Sequence, residues 1–222
     1  MNTLIARIKD ATGHEIQNME LLTTALTHSS TGAKHNYERL EFLGDRVLGL
    51  VVAETLFAKF PDEPEGHMAK RLASLVQGTF LTIIAREIGL GAFIKFSDAE
   101  AAAGGADNDN ILADVMEAVI GALYVEAGLE ACQRLIATLW GDRFDTMLKP
   151  PQHPKTGVQE WAQGKNLPLP RYIIKSQSGP DHAPIFEIEL TVQGYEAVTA
   201  SGKSRQEAEK AAAQTFLDQN SL

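Results

Sequence analysis

Tyr37-Glu38-Arg39-Leu40-Glu41-Phe42-Leu43-Gly44-Asp45-Arg46-Val47-Leu48 decides how the first two thirds of this chain are read. Apolar Leu40, Leu43, Val47, Leu48 and Val51 recur at the spacing of one helical face, so the stretch predicts an amphipathic helix with a core side. A turn takes about 3.6 residues, so Glu38, Glu41 and Asp45 fall within roughly a 60° wedge of that helix. Like charges stacked on one face repel. Water, a cation or a substrate must compensate them.

Outward from that helix, helical periodicity dominates as far as residue 148. Leu21, Leu22, Ala25 and Leu26 predict a short helix. The helix over 37–59 stops at Phe60-Pro61, and another spans 67–87 up to Gly89. Residues 111–125 read as an apolar, buried helix, and 129–147 as a closing one. Asp98 to Asn110, rich in Ala, Gly, Asp and Asn, reads as a loop. The first domain, 1–148, is therefore expected to be all-α.

Lys149-Pro150-Pro151-Gln152-His153-Pro154 carries three prolines in five residues and predicts an extended linker over 149–154. Beyond it the pattern changes. Thr156 to Gln163 reads as a short helix. Residues 171–176 and 185–192 read as strands, because Phe186, Ile188, Leu190 and Val192 alternate with polar residues. Residues 194–200 give a third strand. Ser204 with Glu207 forms a capping box that opens a helix to about Leu217. The order α-β-β-β-α makes 155–222 a small α+β domain.

The chain has 222 residues and a net charge of −9. Residues 1–148 hold 12 Lys and Arg against 21 Asp and Glu, while 149–222 hold 8 of each. An acidic first domain can still meet a polyanion if divalent cations neutralise the contact. No run of 18 apolar residues is present, so no spanning helix is expected. The start lacks the apolar core of a secretory signal. A single cysteine, Cys132, excludes an internal disulfide framework and Cys-based zinc, which points to the cytoplasm.

A second carboxylate pair, Asp114 and Glu117, sits in the apolar helix among Ile111, Leu112, Val115, Val119, Ile120 and Leu123. Ionised carboxylates there are costly unless paired or bound to a cation. No Lys or Arg lies between Lys95 and Arg134. Arg39, Arg46 and Arg71 remain possible partners in three dimensions. Oxygen donors without Cys or a paired-His spacing suit hard cations, Mg²⁺ with Mn²⁺ as a substitute. Such a cluster from two helices fits in-line phosphodiester hydrolysis. A solvated helix face is the competing reading of Glu38, Glu41 and Asp45 taken alone.

Glu38-Arg39-Leu40-Glu41-Phe42-Leu43-Gly44-Asp45 resembles the signature of the ribonuclease III family. The resemblance extends to Leu26-Thr27-His28-Ser29-Ser30 and to Ile111-Leu112-Ala113-Asp114-Val115-Met116-Glu117-Ala118. It implies a homodimeric endonuclease of double-stranded RNA that leaves 5′-phosphate and 3′-hydroxyl ends with short 3′ overhangs. Structured precursors such as ribosomal RNA would be its substrates. It implies Glu41, Asp45, Asp114 and Glu117 as Mg²⁺ ligands, with Asp45 and Glu117 catalytic. Glu38 and Glu65 are implied to support the site where subunits meet, and Phe42 to enter the partner subunit. Only the resemblance selects Glu65 from its acidic turn. His28 reads as a locally bonded residue at a helix end, not as a ligand. Arg46 departs from the family, which often has a small residue there.

The second domain resembles a double-stranded RNA-binding domain in three regions. Residues 154–161 match its first helix, which implies RNA contacts from Thr156, Gln159 and Glu160. Residues 179–186 match a loop that enters the minor groove, which implies Pro180 and His182. Residues 202–213 match the last helix, which implies Lys203, Arg205 and Lys210. A helix N-terminus and basic side chains suit phosphate, and A-form RNA is read by shape more than by sequence. Gln206 and Glu209 stand where many such domains carry lysine, which should weaken affinity. The alternatives are a non-catalytic binder of duplex RNA and a metal phosphatase acting on small substrates. Neither membrane nor small-molecule cofactor is expected.

Overall fold

The computed structural model describes residues 1–146, 154–180 and 184–220. The chain divides into two compact units, Met1–Pro151 and Gln152–Leu222. The first unit is helical. Its elements are α1 (Asn2–Thr12), α2 (Met19–Ala25), α3 (Glu38–Lys59), α4 (Glu65–Val76), α5 (Gly78–Glu87), α6 (Asp98–Ala102), α7 (Asp109–Trp140) and α8 (Arg143–Thr146).

Helices α3 and α7 cross at the centre of this unit, and two glycines set how closely. A Cβ on Gly44 would lie 1.8 Å from the Glu117 carbonyl oxygen, and one on Gly121 would lie 2.2 Å from that of Leu40. No side chain fits at either point, so the two backbones touch directly. Leu40, Val47, Leu48 and Val51 of α3 and Val115, Val119 and Ile120 of α7 bury the surrounding core.

The all-α expectation extends to residues 2–12, which form a helix because Leu4, Ile8 and Thr12 make a buried i, i+4, i+8 stripe. Other expected boundaries are corrected. The helix expected over 67–87 breaks at Gln77, which is extended with φ −66° and ψ 147°. The break lets Trp140 Nε1 donate to the Leu75 carbonyl at 3.1 Å in the core. The loop expected over 98–110 contains α6, capped by Ser97, whose side chain accepts from the Glu100 amide. The two helices expected over 111–125 and 129–147 are both present as the arms of α7, which meet at Gly128, where the backbone leaves the helix with φ +76° and ψ −175°. That helix ends at Gly141, short of residue 147. The linker residues 149–153 lie outside the described residues, and Pro154 is the first residue of the next helix.

The second unit comprises α9 (Pro154–Gly164), β1 (Arg171–Ser178), β2 (Ile185–Thr191), β3 (Val198–Gly202) and α10 (Arg205–Gln219). The strands form one antiparallel sheet in the order β1-β2-β3. Ile174 pairs with Ile188, and the register slips before Ser176 pairs with Glu187. The third strand lies later than residues 194–200, because Gly194 takes φ +84° in the turn that precedes it. Trp161, Tyr195 and Phe216 pack edge to face with centroids 4.8–5.9 Å apart, joining α9, the β2–β3 turn and α10.

Candidate active site and RNA-binding face

The α3–α7 crossing brings the two acidic motifs together. From Ile111 to Leu123 every residue of α7 is buried except Asp114 and Glu117. These two carboxylates open to solvent on the side that meets Glu41 of α3. Their proximity is electrostatic as well as geometric. Glu117 has its pKa pushed from 4.5 to about 7 by burial, then by Glu41 and Asp114, with Arg46 opposing. Burial, then Asp114 and Glu38, raises Glu41. Burial raises Asp114, against a hydrogen bond from Tyr37 and the nearby His28. The site therefore disfavours its own negative charge, and a cation would relieve it.

Tyr37 is a site residue that motif reading passed over. Its ring is buried at the start of α3, and its hydroxyl bonds Asp114. Burial, then Asp114, Glu41 and Glu38, pushes this phenol up to about 12, so it remains a donor. His28 stacks on Tyr37 at 5.5 Å, and its Nδ1 accepts from the Ser30 amide at 3.2 Å. His28 thus buttresses the tyrosine and makes the local bond expected of it. The readable signal for Tyr37 was a large polar aromatic one residue before the acidic row.

Glu38 is exposed, and the Asn36 side chain bonds both its carboxylate and its amide. Asp45 forms an ion pair with its neighbour Arg46. Among the described residues, no three carboxylate or imidazole groups converge closely enough to grip an ion as they stand. The donor set nevertheless fits a hard divalent cation: oxygens only, half-buried, and mutually repelling. Arg39 lines a cavity with Glu38, and Arg71 is buried against Glu63 and the Phe60 ring.

Glu65 sits away from this cluster. It opens α4 and lines an apolar groove of about 460 Å³ with Leu50, Phe57, Met68 and Leu72. Phe42 is 69% exposed, and with Leu50 and Phe57 it makes an apolar stripe along α3.

In the second unit, Thr156, Gln159 and Glu160 lie exposed on one face of α9. Pro180 is exposed after β1, and His182 lies outside the described residues. Lys203, Arg205 and Lys210 are exposed around the start of α10. Ser204 Oγ caps that helix by accepting from the Glu207 amide, and the Glu207 carboxylate reaches back to the Lys203 amide at 3.0 Å. Glu209 is nearly buried. It accepts from Lys155 of α9 and, at 2.8 Å, from Arg205 Nε. Burial would raise Glu209, but the bonds from Lys155 and Arg205 outweigh it and hold the carboxyl below its usual range. Part of the basic charge here is thus spent within the fold.

A family model described as Ribonuclease-III-like matches residues 18–141, and one described as a double-stranded RNA binding motif matches residues 154–220. Curated relatives named Ribonuclease 3 include that of Caulobacter vibrioides, 47% identical over 93% of this chain and 91% of its own length. That of Ehrlichia ruminantium is 47% identical over 92% of each chain. A crystal structure of the ribonuclease III nuclease domain from Campylobacter jejuni covers 67% of this chain and 97% of its own. Its TM-score is 0.57 and its sequence identity 40%. A second structure of that domain, whose description concerns flexibility in a region of dimer formation, is 43% identical. It covers 61% of this chain and 94% of its own with a TM-score of 0.58.

Proposed function

Since the chain belongs to the ribonuclease III family, we propose that it is an endoribonuclease that hydrolyses double-stranded RNA with a divalent cation, Mg²⁺ or in its place Mn²⁺. The observation that carries this is the acidic slot: two carboxylates of an otherwise buried helix, held by a glycine crossing against Glu41 of a second helix.

Glu41, Asp45, Asp114 and Glu117 would hold the cation. When bound, it supplies positive charge that offsets the developing charge on the phosphate and favours deprotonation of the attacking water. Tyr37 fixes the Asp114 carboxylate by donating to it. Glu38, exposed beside the slot, stands where an RNA strand passes. Glu65 supports the site from the partner side of a homodimer, and Phe42 docks into the partner. The water oxygen attacks phosphorus, the bond to the 3′ oxygen breaks, and the products are a 3′-hydroxyl and a 5′-phosphate. One subunit cuts each strand, which leaves short 3′ overhangs.

The second unit reads duplex shape, with Thr156, Gln159 and Glu160 on one helix and Lys203, Arg205 and Lys210 on another. Pro180 and His182 belong to the loop that reaches the next groove. Structured precursors such as ribosomal RNA are the substrates. Among the described residues no helix is long and apolar enough to cross a membrane. The lone buried cysteine supports a cytoplasmic setting.

The test is cleavage of one long duplex RNA with Mg²⁺ and with EDTA, mapping the ends. Cleavage only with the metal, and a loss of at least a hundredfold in Glu117→Gln, are expected. Cleavage by Glu117→Gln at the parent rate under saturating Mg²⁺ would overturn the assignment.

A further inference from the structure

Of the five carboxylates Glu38, Glu41, Asp45, Asp114 and Glu117, only Asp45 carries an ion pair among the described residues, and its partner is Arg46. Neighbours in sequence project about 100° apart on a helix and do not naturally face one another. Arg46 therefore has to lean back to reach Asp45. Two features draw it. Its guanidinium lies 5.7 Å from the centroid of the Phe42 ring, one turn earlier on α3. Glu117 also feels its charge across the slot. In the single chain the Arg46 side chain is 69% exposed, so water screens the pair and leaves it weak and replaceable.

An entering divalent cation meets Asp45 already engaged, and a like charge beside it. The same guanidinium relieves the repelling carboxylates when no metal is present. Metal and arginine thus compete for one carboxylate, and each lowers the apparent affinity of the other. We propose that Arg46 is a positioning residue that latches Asp45 in the metal-free enzyme and sets the divalent concentration at which the site fills. This rests on the metal reading above and adds a regulator to it: the residue at this position tunes metal demand without touching the metal.

The test measures metal binding directly. The full chain is titrated with Mn²⁺, free Mn²⁺ being followed by electron paramagnetic resonance, for the parent, Arg46→Ser and Arg46→Gln. Both variants are expected to bind Mn²⁺ about three- to tenfold more tightly. Both should also melt at a lower temperature than the parent in EDTA, and gain more from saturating Mn²⁺. A merely structural arginine would lower the melting temperature without tightening the metal. Affinity equal to or weaker than the parent's in either variant overturns the latch while leaving the metal site standing. A parent chain that binds no Mn²⁺ overturns the metal reading and the latch with it.

Discussion

Gly44 and Gly49 lie on the same helix, yet they should respond in opposite ways to the same methyl group. At Gly44 the added carbon meets the Glu117 backbone at 1.8 Å, and neither helix can yield without moving the other. At Gly49 nothing lies within 4 Å. Gly44→Ala is expected to destabilise the catalytic unit by about 3 kcal/mol or more and to abolish cleavage. Gly49→Ala should be neutral or stabilise by about 0.5–1 kcal/mol, since alanine is the better helix former. Thermal melts by circular dichroism check both. Tyr37 offers a finer cut. Tyr37→Phe keeps the ring and its stacking on His28 but removes the donor to Asp114. A loss of about tenfold or more in metal affinity or turnover is expected, with little change in fold. Unchanged affinity would show that Asp114 needs no orienting partner.

Helix α7 presents Glu117 from an apolar background, so its titration reports on the element as a whole. Its pKa stands at about 7 against 4.5 for an ordinary glutamate. Between those values the folded chain keeps a proton that the unfolded chain has lost. The associated stability is thus fullest in acid and disappears as pH rises through about 7. In EDTA, Glu117→Gln should raise the melting temperature at pH 8 and leave it nearly unchanged at pH 4. A rise of equal size at both values would sink this account. The same helix shows what a sequence does and does not disclose. Its apolar run and the acidic row of α3 were both legible, because burial and repulsion are written in residue type and spacing. The break at Gln77 was not, since Val76-Gln77-Gly78 interrupts no periodicity and the Leu75 carbonyl that it frees is taken by Trp140, 65 residues away in sequence. Nor was α1, whose buried stripe is only three residues deep and is masked by charges between them. Glu41, Asp114 and Glu117, the carboxylates that the crossing brings together, could be named in advance, but Tyr37 and the glycine contact depend on two helices meeting, which no local pattern records.

At the scale of the molecule, charge is divided between the units: −9 falls in residues 1–148 and none, net, in 149–222. Attraction for RNA must therefore come from a few exposed cations of the second unit. Lys210 is exposed, whereas Arg205 shares Glu209 with Lys155. Lys210→Ala should lower the slope of log affinity against log salt by about one, and Arg205→Ala by less. Equal slopes for the two variants, measured by filter binding across a salt series, would contradict the internal neutralisation. Finally, the backbone contact between α3 and α7 has a consequence for the order in which the protein comes apart. A crossing with no side chains between its helices cannot open by rotamer motion; it opens only when the whole unit does. Amides of Gly44 and Gly121 should then exchange with deuterium among the slowest in the chain, at the rate of global unfolding. The spacing of the acidic slot would persist through every lesser fluctuation, dissolving last rather than first.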